Sequence, residues 1–273
     1  MRTWVNGELL ADPDAPVVGA RDHGLTVGDG VFEVVKIVDG RPFALSLHLE
    51  RLARSALGLG LPEVDLEAVR RGVAAVLEGE PLTLGRLRIT WTGGLAPLGS
   101  DRGDSPPSLV VVCAPMDPWP ETAAVATVPW PRNERGALAG LKTTSYGENV
   151  RALAHARERG ASEAVFANLQ GQLCEGTGTN VFYVADGELR TPTLASGCLA
   201  GITRRLVLDW YGAVEVDEPI EVVTHASEAF LASTTRDVQG IHRWDDHPLS
   251  APGPITTEVR KTWAEHEHEL LGG

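Results

Sequence analysis

Lysine is scarce in this sequence. The 273 residues hold 24 lysines and arginines together, and only Lys36, Lys142 and Lys261 are lysines. A guanidinium stays protonated at physiological pH, whereas a partly desolvated primary amine can lose its proton and attack a carbonyl carbon. Each retained lysine is therefore a candidate for amine chemistry as well as for an ordinary surface charge. Cysteine is equally sparse. Cys113, Cys174 and Cys198 show no short metal-ligand spacing, and an odd count does not suit a disulfide framework. They read as small buried thiols, and no metal site is expected. A basic surplus is missing too: the formal charge is -13 and the isoelectric point near 5.0. This argues against nucleic-acid and anionic-membrane partners, both of which need a basic face. No basic N-terminal segment leads into an apolar run, and no apolar stretch is long enough to span a bilayer, so a cytoplasmic location is expected. Internal repeats and the glycine patterns of dinucleotide or Walker-type phosphate loops are also absent.

What is present suits a globular protein. At 43% hydrophobic content the chain can bury a large core, with two domains expected. Asn6-Gly7 and Asp39-Gly40 each sit between short β-rich runs and predict two hairpins. Leu45, Leu49, Leu52, Ala53 and Ala56 recur at helical spacing, which predicts a helix with Ser46 as N-cap, ended by Gly58 or Gly60. A second helix is predicted over 65–78, followed by strands over 86–93 and 108–115 that flank the mobile-looking loop GLAPLGSDRGDSPP. The three prolines of PMDPWPE can continue neither a ladder nor a helix. The expected organisation is an N-terminal domain 1–116, a linker 117–122 and a C-terminal domain 123–273. Beyond the linker, strands are predicted over 123–129 and around EAVFAN, NVFYVADGELRT and AFLAST. Helices are predicted over 148–159, in GITRRLVLDWYG and in TEVRKTWAEHEHELL. The histidines and glutamates of the last read as a solvated face.

The run LKTTSYGENVRALAHARERGASEAVF is followed in order by CEGTGTNVFYV, GCLAGITR and AFLASTTRDVQGI, and preceded by RDHGLTVGDGVFEVVK and HLERLARSA. Together these resemble the class IV aminotransferases, the fold-type IV pyridoxal-phosphate enzymes. Most of the chain is covered. The resemblance implies a two-domain α+β fold, with a small N-terminal α/β domain and a larger β-barrel-like C-terminal domain. It also implies pyridoxal 5'-phosphate as cofactor, a small-molecule amino donor with a 2-oxo acid acceptor, and at least a homodimer whose loops complete each other's active sites.

The resemblance also assigns residues. Lys142 matches the lysine that binds the cofactor covalently and then shuttles a proton; alone it reads as a surface cation at a strand-to-helix junction. Glu175 matches the acid that keeps the pyridine ring protonated. Arg51 matches the phosphate arginine, Ile202 and Thr203 the phosphate-binding helix start, and Thr235 a phosphate hydroxyl, with Ser233 and Thr234 as neighbours. Leu199 matches an apolar residue packed on a ring face. Tyr146 lies four residues after Lys142, where branched-chain members place a tyrosine at five. Phe32, in the GDGVFE stretch, is assigned to the substrate side.

Members specific for D-amino acids carry an Arg-x-His clamp after the RLRITWTG-like strand, and this loop has no histidine. Arg102 is the candidate replacement. Lyases of the family often place a threonine where this chain has Val34. The readings left open are a transaminase acting on a D-amino acid or R-amine, a 4-amino-4-deoxychorismate lyase or an enzyme with both activities, and a non-catalytic pyridoxal-phosphate-binding protein. Retention of Lys142 and Glu175 weighs against the last.

Overall fold

The structure is a computed structural model that describes residues 1–273. The chain divides into two compact units. The first comprises Met1–Pro118, Leu141–Tyr146 and Glu269–Gly273; the second comprises Trp119–Gly140 and Gly147–His268. This differs from the contiguous division expected from sequence, and hydrogen bonds within the first unit account for the two late segments. Phe32 N donates to the Lys142 carbonyl at 3.0 Å, Val31 bridges to Thr143, and Ala44 N donates to the Leu270 carbonyl at 2.8 Å.

The first unit opens with the hairpin β1 (Arg2–Val5) and β2 (Glu8–Leu9), followed by the short helix α1 (His23–Thr26). Next come β3 (Gly30–Val38), β4 (Arg41–Pro42), the helices α2 (Leu45–Leu59) and α3 (Leu66–Leu77), then β5 (Leu84–Thr92) and β6 (Ser108–Pro115). The six strands run in the order β2-β1-β6-β5-β3-β4 and all neighbours are antiparallel. Strand periodicity of two sorts the side chains. Val31, Val35, Ile37, Leu87, Ile89, Leu109, Val111 and Cys113 form one buried cluster with Leu49, Leu52, Val69 and Val73 from the helices. Fully burying a side chain such as Leu49 or Leu52 stabilises the unit by about 1.5–3 kcal/mol. Residues of opposite parity, Phe32, Arg86, Arg88 and Thr90, lie on the other face.

Helix α2 begins two residues earlier than the sequence predicts. Ser46 is not its N-cap; Ala44 is, in the left-handed region at φ 50° with no side-chain cap bond. Its amide is held by the Leu270 carbonyl, so a distant backbone contact, not a local hydroxyl, sets the helix start. The far end follows the expected rule, with Gly60 at φ 73° receiving the last turn. In α3, Asp65 caps the helix by accepting from Ala68 N at 2.8 Å.

The second unit contains β7 (Thr122–Thr127), α4 (Gly147–Glu158), β8 (Glu163–Ala167), β9 (Leu173–Gly176), β10 (Asn180–Ala185) and β11 (Glu188–Thr191). It continues with α5 (Ile202–Trp210), β12 (Val214–Glu215), β13 (Glu228–Ser233), β14 (Asp237–Trp244), β15 (His247–Pro248) and α6 (Pro254–His266). These strands form a mixed nine-stranded sheet in the order β12-β11-β10-β13-β14-β7-β8-β9, with β15 on β14. Its core gathers Val125, Val165, Leu173, Val181, Tyr183, Leu231, Ile241 and Trp244. The buried Glu228 carboxylate accepts from Ile255 N, Thr256 N and Thr256 Oγ1, satisfying orphan donors at the start of α6. No helix is long and apolar enough to cross a membrane.

Candidate active site

Three α2 side chains one turn apart, His48, Arg51 and Ser55, form a buried polar stripe facing β3. Glu33 interrupts the apolar row of β3 to meet it. Arg51 donates to both Glu33 oxygens, from Nε at 2.8 Å and Nη2 at 2.7 Å, and His48 Nδ1 lies 2.7 Å from Oε2. Burial alone would raise the Glu33 pKa, but the Arg51 charge and the bonds from Arg51 and His48 outweigh it and hold the carboxyl at about 2. Burial pushes His48 below its ordinary value, so its ring donates as the neutral Nδ1–H tautomer. These bonds commit two of Arg51's five donors to Glu33 and fix the guanidinium in place.

Ser55, at the end of the stripe, accepts from the Lys142 amide at 3.2 Å. The Lys142 segment is thus held on one side by α2 and on the other by β3. Its side chain turns toward Phe32, with Nζ 4.5 Å from the ring centroid and 5.8 Å from that of Tyr146. The two rings meet edge to face at 5.1 Å and 77°. The structure therefore brings Phe32, Lys142 and Tyr146 together despite the four-residue spacing of lysine and tyrosine.

Arg88, a residue not singled out from sequence, completes this group. Its guanidinium carbon lies 3.8 Å from the Phe32 ring centroid, and Nε donates to Thr90 Oγ1 at 3.2 Å. No carboxylate acts on it, and burial holds its pKa below the usual arginine value. A signal was available: in R-L-R-I-T, Arg86, Arg88 and Thr90 share one parity while Leu87 and Ile89 take the core parity.

Arg102, the expected carboxylate clamp, is engaged by the first unit's own acceptors. It donates to Asp29 from Nε at 2.7 Å and Nη2 at 2.5 Å, to the Leu59 carbonyl at 2.8 Å and to the Gly60 carbonyl. An arginine already bidentate on a carboxylate and bonded to a helix end has a structural task. The loop residue the sequence offers for substrate is a fastener.

The second unit carries the remaining candidates. Glu175, on β9, accepts from Leu199 N at 2.8 Å through Oε2, and Oε1 lies 3.2 Å from Arg132 Nε. That Nε is buried and its contact is too bent for a hydrogen bond, so the pair is held by charge. Arg132 stacks over Phe166 at 4.1 Å and donates to Asn149 Oδ1 at 2.9 Å. Asn149 in turn donates to the Thr177 carbonyl, and buried Glu163 accepts from Thr177 N and Oγ1. The turn after Glu175 is thereby pinned from both sides. Glu163 and Arg132 carry no local sequence signal, since their partners come from other strands and helices.

Ile202 and Thr203 open α5, with Gly201 as an N-cap lacking any side-chain bond. A Cβ at Gly201 would fall 1.9 Å from Asn180 Oδ1, so the approach of chain to helix requires glycine. Thr203 Oγ1 is buried without a hydrogen-bond partner. Ser233 closes β13 and accepts from Arg236 N at 3.2 Å, placing Thr234 and Thr235 in a half-buried turn; α5 packs against β13.

The sequence pattern of the family described as Amino-transferase class IV matches residues 30–244. A Mycobacterium tuberculosis protein named bifunctional aminodeoxychorismate lyase / D-amino acid transaminase is 30% identical, over 77% of each chain. A fold IV-transaminase of Curtobacterium pusillum is 32% identical, with a TM-score of 0.81 over 93% of this chain and 92% of that one. The branched-chain aminotransferase of Thermoproteus uzoniensis is 27% identical, with a TM-score of 0.88 over 99% and 98%.

Class IV aminotransferases use pyridoxal 5'-phosphate, and the second unit fits such a group. An orphaned buried hydroxyl costs about 1–3 kcal/mol, a cost an anion at Thr203 removes. The uncapped start of α5 offers backbone N–H groups to the same anion. Glu175, steadied by Leu199 N and Arg132, suits a protonated ring nitrogen.

Proposed function

The chain belongs to the class IV aminotransferases, and from that premise we propose that it moves an amino group from a D-amino acid or an R-amine to a 2-oxo acid. The observation that carries the proposal is the cluster of Lys142, Phe32, Tyr146 and Arg88: a primary amine on an aromatic face, beside a guanidinium with no acidic partner. Pyridoxal 5'-phosphate, when bound, supplies a ring that accepts the electron pair left when the substrate carbon loses its proton.

This chain's residues do the rest. Lys142 Nζ would hold the cofactor and, when free, would take the proton from the substrate carbon and return it. Glu175 keeps a proton on the ring nitrogen. In the second unit Ile202, Thr203 and Thr235 would hold the phosphate, with Ser233 and Thr234 shaping that turn, and Leu199 would pack on the ring; the resemblance adds Arg51 of the first unit to the phosphate side. Arg88, in place of Arg102, takes the substrate carboxylate, while Phe32 and Tyr146 limit the room beside it. The GDGVFEVVK stretch, close to D-specific members, supports the choice of donor. The working form is a homodimer, a reading supported by Leu95 and Leu98, which leave 42% and 81% of their surface exposed on the loop after β5, and its expected location is the cytoplasm.

A second reading, release of pyruvate from 4-amino-4-deoxychorismate, is favoured by the name of the M. tuberculosis relative and opposed by Val34, where lyases often carry threonine. Mixing the enzyme with D-amino acids, L-amino acids and R-1-phenylethylamine separates the two. Conversion to the aminated cofactor is expected fastest with a D-amino acid or the R-amine. Failure with every amine, together with formation of 4-aminobenzoate from aminodeoxychorismate, would replace the first reading by the second. Arg88→Ala is expected to raise KM about 10- to 100-fold for amino acids, the worth of one charged hydrogen bond, and to leave the R-amine unaffected. An equal loss for both would remove Arg88 from the carboxylate site.

A further inference from the structure

His23 is buried at 2% exposure between two acceptors. Nδ1 lies 2.8 Å from Asp29 Oδ2 and Nε2 lies 2.9 Å from the Gly99 carbonyl oxygen. A carbonyl only accepts. Asp29 also accepts here, because Arg102 already donates to both of its oxygens. Burial would raise the Asp29 pKa, yet the bonds from Arg102 and His23 bring it below the ordinary value, so it is a carboxylate. A neutral imidazole carries a single N–H and can satisfy one of these neighbours; both contacts together require the imidazolium.

The loop depends on these contacts. Its first residues are tied by backbone bonds: Gly93 N to the Asp29 carbonyl, His23 N to the Gly94 carbonyl and Ala96 N to the Arg21 carbonyl. Past Ala96 the backbone bonds stop, and residues 97–102 are held through Gly99 on His23 and Arg102 on Asp29, Leu59 and Gly60. We propose that protonated His23 is a latch that fastens residues 97–102 of the loop after β5 to the turn before β3, and that the latch opens as pH rises.

The charged groups facing the ring are Asp29, from that turn, and Arg102, from the loop. Neighbouring Asp22 is turned toward Gly24 N, Thr92 Oγ1 and Ser108 Oγ. An open cleft lined by Val27, Ser100, Asp101 and the three latch residues gives solvent a route to the imidazole. The bond to Asp29 first, then that to Gly99, raise the His23 pKa above 6.5 against the opposing effect of burial. The sign follows: a group whose folded pKa is raised stabilises fully below its unfolded value and loses that contribution as pH passes the folded one. The latch is therefore shut under mildly acidic conditions. When it opens, Arg102 still holds Asp29, so the loop loosens at Gly99 first. The latch lies within the first unit and does not depend on which substrate the protein takes.

Backbone amide NMR order parameters of residues 98–102 between pH 5.5 and 8.5, with ring-proton NMR of His23, test this. In the wild type the order parameters are expected to fall from about 0.85 to about 0.6 or below across the His23 midpoint, and that midpoint is expected above 6.5. In His23→Gln the loop should be mobile at every pH, while β3 and β5 stay rigid. His23→Arg, which keeps a charge at every pH, should lose the pH dependence. A midpoint at or below 6.5, order parameters independent of pH in the wild type, or a His23→Gln loop as rigid as wild type at pH 5.5 would overturn the proposal. If His23→Gln does not fold, the two wild-type measurements decide alone.

Discussion

Replacing Glu33 by Gln keeps the side-chain shape and removes the charge that Arg51 and His48 surround. The carboxyl sits at about 2 in the folded protein against 4.5 for the free group. At about 1.4 kcal/mol per pKa unit, that gap corresponds to about 3 kcal/mol of stability at pH 7. An independent route gives a similar figure, since removing one partner of a buried ion pair costs about 3–5 kcal/mol. For a domain of this size 1 kcal/mol shifts the melting temperature by about 2–4 °C, so Glu33→Gln should melt roughly 6–12 °C below wild type at pH 7. The pH dependence is the sharper test. A depressed carboxyl stabilises above its unfolded pKa and loses that contribution as pH falls toward the folded one. By pH 3.5 the unfolded chain has already bound most of its proton, and the advantage shrinks to about 2 kcal/mol. Melting curves of both proteins at pH 7, 5 and 3.5 should therefore converge on acidification. Parallel curves, or a variant as stable as wild type, would show that the Glu33 charge is not what anchors Arg51.

Glu175→Gln should still bind cofactor but lose at least tenfold in single-turnover rate with amino donor, because an amide cannot keep the ring nitrogen protonated; near-normal turnover removes that role. Gly201→Ala should weaken cofactor retention during dialysis at least tenfold, because its Cβ would sit 1.9 Å from Asn180 Oδ1 and must displace the start of α5; an unchanged dissociation constant would place the phosphate elsewhere.

Much of the architecture was legible because it rests on local rules. The Asn6-Gly7 and Asp39-Gly40 turns, the helix predicted over 65–78, the Gly60 stop and the strand over 108–115 all depend on a few adjacent residues. What could not be read depends on partners far along the chain. Ala44 caps α2 because Leu270 reaches it, and Leu141–Tyr146 joins the first unit because β3 and Ser55 hold it. At the site, Lys142 and Glu175 stood out through motif resemblance. Arg88 was visible only as an alternation along β5, and the fate of Arg102 was decided by Asp29, a carboxylate 73 residues away in sequence.

The six residues that carry Lys142 belong to the first unit while the chain on both sides of them belongs to the second. The polypeptide therefore passes from one unit to the other four times, after Pro118, Gly140, Tyr146 and His268. No single cut separates two self-sufficient pieces. A fragment ending at Pro118 lacks the strand-like segment that pairs with Phe32, and a fragment starting at Trp119 carries the lysine but neither β3 nor Ser55 to hold it. The Lys142 segment thus finds its β3 and Ser55 partners only where both stretches of chain are present, so a truncated or half-synthesised polypeptide leaves it without them.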